Sequence, residues 1–162
     1  MGTSAFILMK KEEYSSEKLL ADSIVVAFRA NVMLYFDNSK RFTEDGSFTY
    51  TTLTIRNKPS NGENKHDFIL YIDSPDNPDI EFYYYEDLRI DPDESLCKVG
   101  CIENVSNAEE LIFRFIYEYL KLNPDNYFWT ADYDWVYSWE DMQKLKSLPY
   151  DPDWCYKNPK LI

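Results

Sequence analysis

A chain of 162 residues with 44% hydrophobic content can fill one core and is short for two. Its four glycines argue against glycine-built phosphate loops and strained nucleophile turns, whose backbones need positions without a Cβ. A net charge of −12 repels nucleic acid and anionic membranes, and no apolar run approaches the roughly 20 residues of a membrane span.

Met1 to Met9 lacks the basic leader and small-residue cleavage site of a secretory signal, so a cytosolic protein is expected. Residues 5–9 read as a short strand, and Ser15 to Asp22 as a short helix. From Ile24 the even positions Val26, Phe28, Ala30, Val32, Leu34 and Phe36 are apolar, while Arg29 and Asn31 are not. Period two predicts one long strand there, ended by Asp37-Asn38-Ser39. Phe48 to Arg56, rich in Thr, Tyr and Ile, is the next strand, and Asn57 to Lys65 a polar loop. Phe68, Leu70 and Ile72 alternate in a further strand. The run Asp73 to Asp79, with two prolines, turns the chain. Ile80 to Tyr85 and Leu96 to Ile102 complete the series of strands.

Asn107 to Leu122 is the clearest helix, with Ser106 and Glu109 spaced as a capping box and Asn123-Pro124 as the stop. Leu111, Ile112, Phe115, Ile116 and Tyr119 fall on one apolar face. Tyr127 to Tyr137 reads as a strand. Its odd positions Tyr127, Trp129, Tyr133, Trp135 and Tyr137 carry rings on one face, and Asp132 and Asp134 stand about 7 Å apart on the other. A shorter helix follows Ser138, with Met142, Leu145 and Leu148 inward. Consecutive strands without intervening helices predict an α+β fold. It is a mostly antiparallel sheet of five to six strands covered by two to three helices, in a single domain over residues 1–162.

Charge is unevenly distributed. Residues 1–72 hold nine basic and nine acidic groups, whereas residues 73–94 hold nine acidic groups against Arg89 alone. Asp87, Asp91, Asp93 and Glu94 belong to that segment. Such a patch steers cationic partners, although a solvated acidic loop would have the same composition. In Tyr127–Tyr137, acids can meet Arg and Lys while rings stack on guanidinium groups; the alternative is a core strand with solvated acids. Tyr133, Trp135, Asp132, Asp134, Glu140 and Asp141 are the contact candidates there.

Catalytic signatures are thin. The single histidine, His66, sits in a polar loop, and no P-loop, G-x-G-x-x-G, H-E-x-x-H or G-x-S-x-G string occurs. Cys97, Cys101 and Cys155 are odd in number, and C-x-x-x-C is a poor zinc signature, so buried free thiols are expected and no metal or cofactor. In size, in the segment Asp73 to Glu94, in the strand Tyr127 to Tyr137 and in its missing catalytic motifs, the chain resembles the small acidic immunity proteins of bacterial polymorphic-toxin and contact-dependent-inhibition systems. The resemblance implies an intracellular, cofactor-free inhibitor of a basic protein partner, a cognate toxin often of nuclease type, that occludes its active site or substrate entry. Two alternatives stay open: a phage-type inhibitor or nucleic-acid mimic, and a carboxylate-dependent hydrolase.

Overall fold

The computed structural model describes residues 2–37, 42–59, 66–77 and 96–162. In chain order these form β1 (Ala5–Lys10), α1 (Ser16–Arg29), β2 (Met33–Asp37), β3 (Tyr50–Arg56) and β4 (Asp67–Asp73). Then come β5 (Leu96–Glu103), α2 (Glu109–Leu122), β6 (Tyr127–Thr130) and α3 (Trp139–Ser147), followed by two 3₁₀ turns, Trp154–Tyr156 and Pro159–Leu161. The strands make one antiparallel sheet in the order β2-β3-β4-β5-β1-β6. The α+β class, the antiparallel sheet and its cover of helices are as the sequence predicts. The expected strand Ile80–Tyr85 lies outside the described residues.

Alternation explains the sheet's inner face. Leu53 pairs with Leu70 and Ile55 with Phe68, all fully buried, while Thr52, Thr54, Ile69 and Tyr71 point the other way, half-buried. The helices pack on that inner face, where Leu111, Ile112, Phe115, Ile116 and Tyr119 of α2 are buried as their spacing predicts. A smaller apolar cluster of Leu8, Leu96, Trp129 and Val136 occupies the opposite face. A bulge opposite Ile7 separates the two cysteines of β5. Val99 and Gly100 both turn inward, so Cys97 is in the main core while Cys101 lies opposite Phe6 on the other face. Gly100 leaves room for this crowding: a Cβ there would stand 3.0 Å from Leu70 Cδ1.

Three expectations fail for identifiable reasons. Residues 24–29 are not strand but the second half of α1. Leu19, Ser23, Val26, Ala27 and Ala30 give α1 a helical inner stripe of mostly small residues, which the period-two reading of the large ones conceals. Ser15 caps this helix by accepting from Lys18 N–H at 3.2 Å. Asn31, at φ 56°, ends it in the role glycine often takes. Val32 N–H reaches back to Ala27 O at 3.0 Å and Asn31 N–H to Phe28 O at 3.2 Å, satisfying the last carbonyls. Second, Ser106 and Glu109 do not form a capping box. Ala108 is the N-cap without a side-chain bond, and Glu109 Oε1 instead accepts from Tyr156 Oη at 3.0 Å. Third, Met142 and Leu145 point inward from α3, but Leu148 lies beyond its last turn and is 43% exposed.

Burial sets the proton affinities of the core. It pushes the Cys97 thiol from 9.0 to about 11, Cys155 to about 12 and the Tyr14 hydroxyl from 10.0 to about 12. The unfolded chain therefore releases these protons at lower pH than the folded one. Their contribution to stability is intact below about pH 9 and is lost as pH rises toward about 12. Melting temperature should be flat with respect to these groups up to about pH 9 and fall above it. A rise between pH 9 and 11 would contradict this burial. The C-terminal turn supplies a second test. Trp154 is 1% exposed, so Trp154→Ala should remove about 3–5 kcal/mol from the urea unfolding free energy. Leu161→Ala, at an 84% exposed position, should change it by less than about 0.5 kcal/mol. A Trp154→Ala protein as stable as wild type would detach the C-terminal segment from the core.

Candidate functional site

The acidic and aromatic run after α2 is a strand for only four residues. β6 stops at Thr130, the chain turns at Ala131–Asp132, and Phe128 is met again by Tyr137 in an antiparallel bridge. The expected single strand from Tyr127 to Tyr137 is therefore corrected to a strand, a turn and a return. Aromatic spacing cannot report such a reversal, because rings on either arm alternate with polar residues in the same way. Asp132 adopts φ 72°, a left-handed conformation that Asp and Asn tolerate better than most residues. Ala131 N–H donates to Ser4 O at 2.9 Å on entry to the turn. Phe128 and Tyr137 exchange backbone bonds of 3.0 and 2.8 Å on exit.

Rings brace the turn from beneath. Trp129 Nε1 donates to the Tyr133 carbonyl at 2.8 Å. Tyr133 packs against Trp135 with ring centres 4.7 Å apart, and against Tyr156 at 6.1 Å. Trp135 Nε1 donates to Tyr137 Oη at 3.2 Å, and the Tyr137 hydroxyl is within donating distance of the carbonyls of Trp154, at 2.8 Å, and Lys157, at 2.5 Å. Burial raises the Tyr137 hydroxyl's proton affinity, so it remains a donor. Tyr133 and Trp135 are half-buried.

The carboxylates divide into two kinds. Asp132 and Asp134 are exposed on the turn, Glu140 is exposed in the first turn of α3, and none of the three has an ion pair among the described residues. Asp141 is different: its side chain is buried, with Oδ2 accepting from Ser138 N–H and Oγ at 2.9 Å each. Ser138 Oγ in turn accepts from Asp141 N–H at 3.2 Å, completing a capping box, and Lys160 pairs with Oδ1 at 2.7 Å. Asp141 thus holds α3 in place and offers no free oxygen to a partner. Asp87, Asp91, Asp93 and Glu94 lie outside the described residues. The entry to their segment is anchored, since Asp73 O accepts from Tyr14 Oη and from Ser16 Oγ at 2.7 Å.

Sequence reasoning missed a cleft of about 660 Å³ between α2, α3 and the C-terminal segment. Phe113, Leu145, Tyr150 and Trp154 wall it, and Arg114 and Lys146 stand at its rim. Its signal was present in Phe113 of α2 and in the Tyr150–Trp154 string. Lys146 Nζ lies 5.5 Å from the Tyr117 ring centre and 5.9 Å from that of Phe113. Arg114 is engaged with Glu110, with Asn57 and with Ala30 O, so it ties α2 to the ends of β3 and α1. His66 is exposed at the start of β4. Among the described residues, no three or more His, Cys, Asp or Glu side chains gather as metal ligands, and no helix is long and apolar enough to cross a membrane.

No protein-family model, no curated protein and no solved structure matches this chain.

Proposed function

We propose that the chain is a protein-binding inhibitor of the immunity-protein kind, acting inside the cell on a basic toxin domain of nuclease type. The observation that carries this reading is the braced turn. Asp132 and Asp134 project two carboxylates, without an ion pair among the described residues, from a backbone pinned at both ends and beside the half-buried rings of Tyr133 and Trp135. Glu140 adds a third exposed carboxylate from the next element, also without an ion pair among the described residues. A fixed acidic turn pays little ordering entropy on binding, which favours a tight contact with Arg or Lys. Half-buried Tyr and Trp rings are of the kind that stacks on guanidinium groups. Occlusion of a phosphate-binding cleft in the partner follows from the same chemistry, because such clefts are themselves basic.

Tests must respect the backbone at residue 132. At φ 72° Asn is tolerated, so Asp132→Asn removes the charge with little strain, and Asp134→Lys reverses its neighbour. With the toxin encoded beside this chain's gene as partner, the double variant should associate about tenfold or more slowly at low salt. It should also show a flatter salt dependence, while its melting temperature stays within about 3 °C of wild type. Unchanged kinetics would remove the turn as the contact. A wild-type protein that binds no neighbouring toxin, or that hydrolyses a substrate instead, would overturn the function.

A further inference from the structure

We propose that the cleft between α2, α3 and the C-terminal segment binds a small organic monoanion with a fused-ring aromatic body, of the aryl carboxylate or sulfonate class. Ligand sites are concave, largely apolar hollows of roughly 300–1,000 Å³ with a few polar groups that orient the guest. This cleft, at about 660 Å³, is of that size, and Leu148 and Pro149 join Phe113, Leu145, Tyr150 and Trp154 in lining it. Its inner wall is fixed before any guest arrives. Trp154 is 1% exposed and Phe113 7%, with ring centres 5.2 Å apart and planes at 80°. Trp154 Nε1 is held by Glu109 O at 2.9 Å, and Tyr150 meets Phe113 at 6.1 Å and 71°. Rings at steep angles to one another offer a flat guest both stacking and edge-to-face contact. Leu148 and Tyr150, 43% and 48% exposed, leave apolar area for it to cover.

Charge decides which class of aromatic guest fits. The charged side chains that line the cleft are Glu110, Arg114, Lys146 and Asp151. Three of them are engaged within the protein. Arg114 Nε pairs with Glu110 Oε1 at 2.8 Å, and the guanidinium also binds Asn57 and the Ala30 carbonyl. Asp151 is paired with Lys157. Just outside, Glu109 accepts from Tyr156 Oη and Lys144 donates to the Ile162 carbonyl. Lys146 differs from the other three lining charges, having neither ion pair nor hydrogen bond among the described residues. Its Nζ stands 5.9 Å from the ring centre of Phe113, one of the cleft's own walls. Among the described residues, the lining charge left without an ionic partner is thus a cation beside an apolar wall, and an anionic group on the guest completes it.

The net charge of −12 limits how much negative charge that guest can carry. A single lysine does not offset two or three phosphate charges in such a field, so nucleotides and other polyanions are disfavoured. The apolar body must then supply most of the affinity. A cationic protein is a poor occupant as well, because the lining charge left over has its own sign. The cleft shares no residue with the acidic turn at 131–137, so it stands whether or not that turn meets a toxin.

Anilinonaphthalene sulfonate has such a body and one negative charge, and its fluorescence rises when it leaves water. Titrated into the full chain, it should saturate a single site with a Kd on the order of 10–100 µM, the range ordinary ligand efficiency gives a probe of its size. Lys146→Gln, at an exposed position in the last turn of α3, should weaken the sulfonate about three- to fivefold. The same substitution should leave phenylnaphthylamine, which has the same rings without the sulfonate, within about 1.5-fold of wild type. Tyr150→Ala should weaken both probes about fivefold or more, through lost apolar contact. Should Tyr150→Ala fold poorly, the two probes on Lys146→Gln still decide the matter. Absence of saturable binding, more than one dye per chain, or sulfonate affinity indifferent to Lys146→Gln would overturn the proposal. Displacement of the dye by the basic toxin domain would also overturn it, by making the cleft part of a protein interface.

Discussion

Trp154 and Tyr137 can be buried only because each polar tip finds a carbonyl. Trp154 Nε1 donates to Glu109 O at 2.9 Å, and Tyr137 Oη reaches the carbonyls of Trp154 and Lys157. An unsatisfied tip would cost about 1–3 kcal/mol, comparable to much of what burying its ring contributes. Trp154 therefore fixes where α2 begins, and Tyr137 fixes where the C-terminal segment crosses β6. Phe113 and Phe128, at 5.2 and 5.5 Å from the Trp154 ring, carry the contact into α2 and the sheet. The acidic turn sits on this assembly through Tyr133, Trp135 and Tyr156.

Sequence periodicity revealed the inner face of the sheet and of α2, because there burial and regular geometry coincide. Phe68, Leu70 and Ile72 are buried at every second position, and α2 buries Leu111, Ile112, Phe115, Ile116 and Tyr119 at helical spacing. It misled where large residues stand outside. In α1 the inward positions are mostly small, and Ile24 and Phe28 face solvent, so reading by size inverts the pattern. Tertiary contact overrode local chemistry at Glu109, whose carboxylate Tyr156 takes from a distance of 47 residues in sequence. The reversal after Thr130 needed no glycine or proline, since Asp132 adopts the left-handed conformation itself.

Much the same separation applies to the candidate site. The sequence named Asp132, Tyr133, Asp134, Trp135, Glu140 and Asp141 as a group, and the fold does gather them around one turn and the start of α3. Only three-dimensional pairing divides them. Asp141 looks like its neighbour Glu140 in the sequence, yet it is enclosed by Ser138 and Lys160. That division could not be read from charge counting, because helix-capping acids and contact acids share a composition.

The same distinction ranks the surfaces by what they can meet. Acids already joined to Lys or Arg, such as Asp67 with Arg56 at 2.7 Å or Asp151 with Lys157, would have to break one pair to make another. Among the described residues Asp132 and Asp134 face no such exchange, so there their attraction to a cationic surface is not offset by a lost ion pair.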